Sequence, residues 1–328
     1  MSIVVTGAAG FIGYHVARAL LRRGETVIGV DNLNDYYDPA LKRARLTELS
    51  PSRAFSFHAI DVADREAMFG LVDAHPGITA IVHLAAQAGV RYSLENPWAY
   101  VDSNVHGQVT VMEAARRLPA LRHLVYASSS SVYGGNTKLP FAVGDPVDKP
   151  VSTYAATKRA AELMAETYAH LYRLPMTGLR FFTVYGPYGR PDMAAFMFTR
   201  AILDGEPIEV FNAGEMRRDF TYIDDIVAGV LAAMDRPPAD PGEGKGRPHS
   251  LYNLGNHRSE DLGHFITVIE RACGRTARKR MREMQPGDVR ATYADITESQ
   301  RDLGFHPTTT IEAGIPKFVA WFRDHYGV

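Results

Sequence analysis

Cysteine is almost missing from this chain: Cys273 is the only one in 328 residues. A single thiol cannot build a disulfide framework or a cysteine-based zinc site within the chain. That composition suits a reducing compartment, and a cytoplasmic location is expected. No apolar run reaches the roughly 20 residues that a membrane-spanning helix needs. The first apolar strand begins at Ile3, so no removable leader is expected before it. Neither sign of charge is in excess, with 36 Lys and Arg against 37 Asp and Glu. The electrostatic footprint of a nucleic-acid or membrane-surface binder is therefore absent. No metal-ligand spacing stands out among the histidines, and there is no internal repeat or low-complexity tract. The 46% hydrophobic content is that of a globular protein with a well-buried core.

What is present begins at once. Ile3-Val4-Val5-Thr6 runs into Gly7-x-x-Gly10-x-x-Gly13, and Phe11 and Ile12 open a helix behind the turn. Glycine permits the sharp turn and lets a pyrophosphate reach bare N–H groups, and the helix start adds partial positive charge. A second strand, Thr26–Val30, ends in Asp31, followed by Asn32. An acid roughly 20 residues past the turn can accept the adenosine ribose hydroxyls. Asp31 would repel a 2′-phosphate, which favours NAD over NADP.

Further strands are predicted at Phe55–Ala59, Ala80–Leu84, Leu124–Ser128 and Met176–Phe181, with helices at Ile12–Arg22, Arg65–Ala74, Val105–Arg117 and Tyr154–Leu171. Strand–helix alternation with continuous apolar strands predicts an α/β fold, a Rossmann-type doubly wound parallel sheet. Ligands of such sheets sit at the carboxyl ends of the strands. Gly7, Asp31, Asp61, Ala85-Ala86-Gln87, Ser128-Ser129-Ser130 and Thr183 all fall there. Gly186-Pro187-Tyr188-Gly189-Arg190-Pro191 breaks the alternation, and Arg236–Gly244 has the composition of a solvated loop. The expected organisation is a Rossmann domain of residues 1–180 with part of 215–255. A smaller C-terminal substrate-binding lobe of 181–214 and 256–328 is expected beside it. It ends in a helix at Ile311–His325.

Tyr154 and Lys158 are four residues apart and share a helix face. A phenol with a pKa near 10 is a poor base at neutral pH, and a nearby ammonium is expected to lower it. Such a phenolate can take an alcohol proton while hydride leaves for a nicotinamide. In Ser128-Ser129-Ser130-Ser131, Ser129 is the first candidate to bridge substrate oxygen and phenol, with Ser130 next.

These motifs, with Asp61-Val62 and Leu84-Ala85-Ala86, resemble the extended short-chain dehydrogenase/reductase family. Within it the chain is similar, nearly end to end, to nucleotide-sugar 4-epimerases and most of all to UDP-glucuronate 4-epimerases. Asp31–Tyr37, Ala86–Ser93, Arg180–Pro187 and Arg218–Asp225 carry that closer likeness. The resemblance implies a bound NAD and a UDP-sugar substrate, while the helices Val105–Arg117 and Tyr154–Leu171, apolar beyond one core-facing stripe, are expected to pair across a homodimer interface. Tyr154 would deprotonate the C4 hydroxyl, and the hydride would return to the other face of a 4-keto sugar. Asn104 would steady the catalytic helix, and Leu84 to Gln87 would line the nicotinamide side. Ser129, Ser130, Thr183 and Arg190 would hold a sugar carboxylate. Arg218 would meet the diphosphate, and Asp288 and Arg290 the uridine ribose, while Arg91 belongs to the string that favours a uronate. Related dehydratases and decarboxylases carry an acid where Ser130-Ser131 precedes Val132-Tyr133-Gly134. UDP-glucose 4-epimerase and UDP-glucuronate decarboxylase remain open as alternatives, as does a catalytically silent NAD-sensing protein.

Overall fold

The computed structural model describes residues 1–284 and 289–328. Seven parallel strands form its sheet: β1 Ser2–Thr6, β2 Thr26–Val30, β3 Phe55–His58, β4 Ile78–His83, β5 His123–Ser129, β6 Met176–Phe181 and β7 His249–Leu254. Their order is β7-β6-β5-β4-β1-β2-β3. Winding therefore reverses between β1 and β4, which opens a crevice at their carboxyl ends. Thr6 lies beside Val30 on one side and His83 on the other. Gly7, Asp31 and Leu84 thus leave the sheet at one level.

β1 is apolar at every central position because both its faces are covered. Ile3 and Val5 join one buried cluster and Val4 the other. Helices Phe11–Arg22, Pro39–Leu49 and Ile223–Met234 pack on the first face. Arg65–Ala74, Gly107–Arg116 and Thr153–Tyr172 pack on the second. Local chemistry sets the helix starts. Asp64 accepts from the Ala67 N–H and Ser152 from the Ala155 N–H, at 3.0 and 3.1 Å.

The remaining chain builds helices Ala194–Asp204, Leu262–Cys273 and Ile311–Tyr326 around the paired strands Ile208–Phe211 and Lys279–Arg282. The apolar cluster that begins at Ile3 and Val5 runs on without a break into Phe265, Phe318 and Phe322. Arg236–Gly244 is a surface loop. Several elements were not anticipated: β7 and the helices Pro39–Leu49 and Ile223–Met234 around the sheet, and the helices Ala194–Asp204 and Leu262–Cys273 with their paired strands in the second half. The helix expected from Val105 begins earlier, as a π-helical segment Val101–His106.

Candidate active site

The first turn is built so that only glycine fits. Gly7 has φ +70°, and a Cβ there would stand 2.8 Å from the Ala85 nitrogen. A Cβ on Gly13 would overlap the Gly7 carbonyl oxygen. Gly10 caps the helix with no side chain, which leaves its first N–H groups to an outside anion. This backbone cradle fits a pyrophosphate.

Beside it, Asp31 accepts from the Ala9 and Leu33 N–H groups at 3.2 and 2.9 Å, with the Lys42 ammonium 3.6 Å away. Burial pushes the Lys42 pKa down, while Asp31 opposes the shift. Asp61 accepts from the Asn32 amide at 2.8 Å and from the Ala63 N–H at 2.8 Å. Asp31, Asn32, Asp61 and Val62 line one cavity together with Gly7, Phe11, Ile12 and Gly13.

The floor of this cavity comes from β4. The Ala85 N–H donates to Thr6 Oγ1 at 3.1 Å, and that hydroxyl lies 2.7 Å from His83 Nδ1. Leu84, Ala85, Ala86 and Gln87 line the cavity. Asn104 does not. Its buried amide accepts from the Gln87 N–H, donates to the Gln87 carbonyl and reaches Thr157 Oγ1 at 3.1 Å. It therefore ties the floor to the helix Thr153–Tyr172.

That helix brings Tyr154 and Lys158 to the cavity wall. Burial raises the Tyr154 phenol pKa, and a hydrogen bond with Ser129 and the charge of Arg190 lower it. The expected lowering by Lys158 is not what the structure shows. The Lys158 ammonium donates to the Ala127 carbonyl at 2.9 Å, and burial brings its pKa down to about 8. Ser129 donates to Ser131 Oγ and stays beside the phenol. Ser128 turns the other way. Its hydroxyl donates to Glu162 at 2.6 Å, and that carboxylate chelates the buried Arg180 at 2.7 and 2.9 Å.

A second cavity of about 750 Å³ opens on the other side of Tyr154. Its lining includes Arg91, Ser129, Ser130, Thr183, Arg190 and Arg218. The Arg91 guanidinium lies 4.4 Å from the ring centre of Phe211. Arg218 donates to the carbonyls of Arg217 and Arg290. The Arg290 side chain is exposed and lies away from the cavity wall, and Asp288 lies outside the described residues. The two cavities share Tyr36, Ser129, Tyr154, Phe181, Phe182, Arg190 and Met193.

The sequence reading passed over several participants individually. Tyr36 was only part of a quoted string, and Lys42 was not named. Asp192 chelates Arg190, and Arg45 fastens two loops together. Arg45 is fully buried and donates to the carbonyls of Ala9 and Tyr188 at 2.7 and 2.8 Å. His15 adds a bond to the Pro187 carbonyl at 2.8 Å. The loop carrying Arg190 is thereby held against the glycine turn. Among the described residues no cluster of His, Cys, Asp and Glu could hold a metal ion.

A family model described as the NAD dependent epimerase/dehydratase family matches residues 3–255. The chain belongs to this family. Among relatives of this epimerase/dehydratase chain, UDP-glucuronate 4-epimerase 3 of Arabidopsis thaliana is 48% identical over 333 residues, spanning 99% of this chain and 77% of that protein. Protein CapI of Staphylococcus aureus is 48% identical over 99% of both chains. The fold of UDP-glucuronic acid 4-epimerase from Bacillus cereus, in complex with UDP-glucuronic acid and NAD, superposes with a TM-score of 0.90. That match has 30% identity and covers 99% of this chain and 100% of the other. UDP-glucose 4-epimerase from Thermotoga maritima, with UDP-glucose, gives 0.86 at 29% identity, covering 99% and 100%.

Proposed function

We propose that this protein is an isomerase that interconverts UDP-glucuronate and UDP-galacturonate by inverting C4 with a resident NAD. One observation carries the reading. Tyr154 and Ser129 stand where the cavity lined by the glycine turn and Asp31 meets a second cavity large enough for a nucleotide sugar. The likeness to UDP-glucuronate 4-epimerases along nearly the whole chain supports the substrate.

NAD, when bound, supplies a hydride acceptor and donor for C4 with no net redox change. The chain supplies the rest. Tyr154 Oη takes the proton of the C4 hydroxyl, and Ser129 Oγ bridges the two oxygens. Arg190 steadies the phenolate by its charge. Ser129, Ser130, Thr183 and Arg190 hold the sugar carboxylate. A 4-keto uronate is a β-keto acid, and a carboxylate kept in the sugar plane by charge-assisted bonds resists loss as CO₂. Ser130 and Ser131 leave no carboxylate beside Val132 to remove a C5 proton, which disfavours dehydration.

Purified protein given UDP-glucuronate and no added cofactor is expected to yield UDP-galacturonate, read by NMR of the sugar protons. A UDP-pentose as main product would contradict this reading in favour of decarboxylation. Turnover of UDP-glucose alone would favour the neutral-sugar alternative, and no turnover of any UDP-sugar a silent NAD-binding protein.

The assembly we propose is a homodimer. Leu94, Trp98, Val101 and Leu163 are 54%, 76%, 42% and 51% exposed on the adjacent segments Tyr92–His106 and Thr153–Tyr172. An apolar face of that kind is expected to be covered by a second copy. The helix Gly107–Arg116, expected to share the interface, buries its apolar residues in its own core. No helix among the described residues is long and apolar enough to cross a membrane. A cytoplasmic location fits the lone, buried Cys273.

A further inference from the structure

We propose that Asp192 orients substrate recognition: it grips one edge of the Arg190 guanidinium and so presents the other edge to the carboxylate of a uronic acid. The inference rests on the reading of Arg190 as a carboxylate holder.

Arg190 Nε donates to Asp192 Oδ1 at 3.0 Å, and its NH2 group donates to Oδ2. That pair of bonds takes up the side edge of a rigid planar fork with five N–H donors. Fixing the side edge fixes the plane. Among the described residues the NH1 group makes no hydrogen bond, so the end edge is left for a second carboxylate. Arg190 lines both cavities beside Tyr154 and Ser129, so that edge is near the reacting carbon's site.

Asp192 is itself held in place. The Tyr36 hydroxyl donates to its Oδ2 at 3.2 Å, and Tyr36 packs on Tyr92 with ring centres 4.8 Å apart. Gly89 makes room for this contact. A Cβ there would come within 2.9 Å of the Tyr36 hydroxyl, and its φ of +104° disfavours any side chain. Burial works against the Asp192 charge, but Arg190 holds its carboxyl below the usual range, so it stays ionised at neutral pH.

The energetic logic separates acidic from neutral sugars. Asp192 and Arg190 form a neutral pair before substrate arrives. A uronate can bond two parallel N–H groups on the end edge, whereas a hydroxymethyl group has one oxygen and cannot span them. Orientation of the guanidinium therefore matters to the uronate and little to UDP alone, which lacks the carboxylate.

The test compares Asp192→Asn, Tyr36→Phe and Arg190→Ala as NAD-loaded proteins, with UDP-glucuronate kinetics and UDP affinity as readouts. Asp192→Asn keeps the shape but loses the charge and one acceptor. It is expected to raise KM for UDP-glucuronate about tenfold or more, leave kcat within about threefold and leave the Kd of UDP unchanged. Tyr36→Phe is expected to raise KM about threefold by freeing Asp192, and it carries the test should Asp192→Asn not fold. An unchanged or lowered KM in both, while Arg190→Ala raises it, overturns the role of Asp192 alone. An unchanged KM in Arg190→Ala overturns the carboxylate reading on which it rests.

Discussion

Glu162 and Arg180 form an almost wholly buried ion pair, and neither lines either of the two cavities. Both are 1% exposed. Every arm of the pair is used: Glu162 accepts from Ser128 and Arg159, and Arg180 donates to the Tyr133 hydroxyl and the Val143 carbonyl. Tyr133 in turn donates to Asn253 on β7 at 2.7 Å. The network thus joins the helix of Tyr154 to the strand end of Ser129. Removing one partner leaves the other charge buried and alone. Glu162→Ala is expected to cost about 3–5 kcal/mol of unfolding free energy, read as a lowered denaturation midpoint, while replacing exposed Glu206 is expected to change little. Much of the candidate site was legible at this scale, because Tyr154, Lys158 and the serine strand end have defined chemistry at fixed spacing, and they line one cavity. The partners of those groups were not. Neighbours on a strand point to opposite faces, so Ser129 reaches Tyr154 while Ser128 reaches Glu162. Nothing in Ser-Ser-Ser-Ser says which does which.

Elements place these side chains, and the glycine turn is the tightest of them. Gly13→Ala puts a methyl group onto the Gly7 carbonyl oxygen. The turn must open, and the expected result is protein that retains its fold but holds NAD about tenfold more weakly or worse, measured by the nucleotide released on acid treatment. Six strands were legible to within about two residues because their apolar runs are bounded by turn residues. β7 was missed because its first four residues are only half-buried, as suits an edge strand. The helix Pro39–Leu49 was missed although its start is written in the chain. Asp38 accepts from the Ala40 N–H, and Pro39 takes the first helical position. The π-helical segment at Asn104 has no comparable sequence signal. There the extra residue per turn brings a buried amide to Gln87 and Thr157 together.

For the whole molecule the fold class followed from strand–helix alternation, whereas the meeting of two cavities at one tyrosine could not be read from spacing. It depends on loops far apart in the chain, such as those joined by Arg45 to Tyr188 across 143 residues and by His15 to Pro187 across 172. Three buried histidines give the assembled protein a defined weakness in acid. Burial brings His15 and His83 down to about 3 and His123 to about 4, from an ordinary value of 6.5. The unfolded chain therefore binds these protons first. The stability contribution is whole above pH 6.5 and is lost as pH falls toward 4, by about 1.4 kcal/mol per pH unit for each histidine. Thermal melts between pH 7 and pH 4 are expected to show a steadily falling midpoint, and His123→Gln is expected to flatten the slope. On the proposed reading these parts serve one proton transfer at C4, so Tyr154→Phe tests the account most directly. Purified with its NAD, that variant is expected to convert UDP-glucuronate at least about a thousandfold more slowly than the parent chain. Conversion to UDP-galacturonate at the parent rate would contradict it.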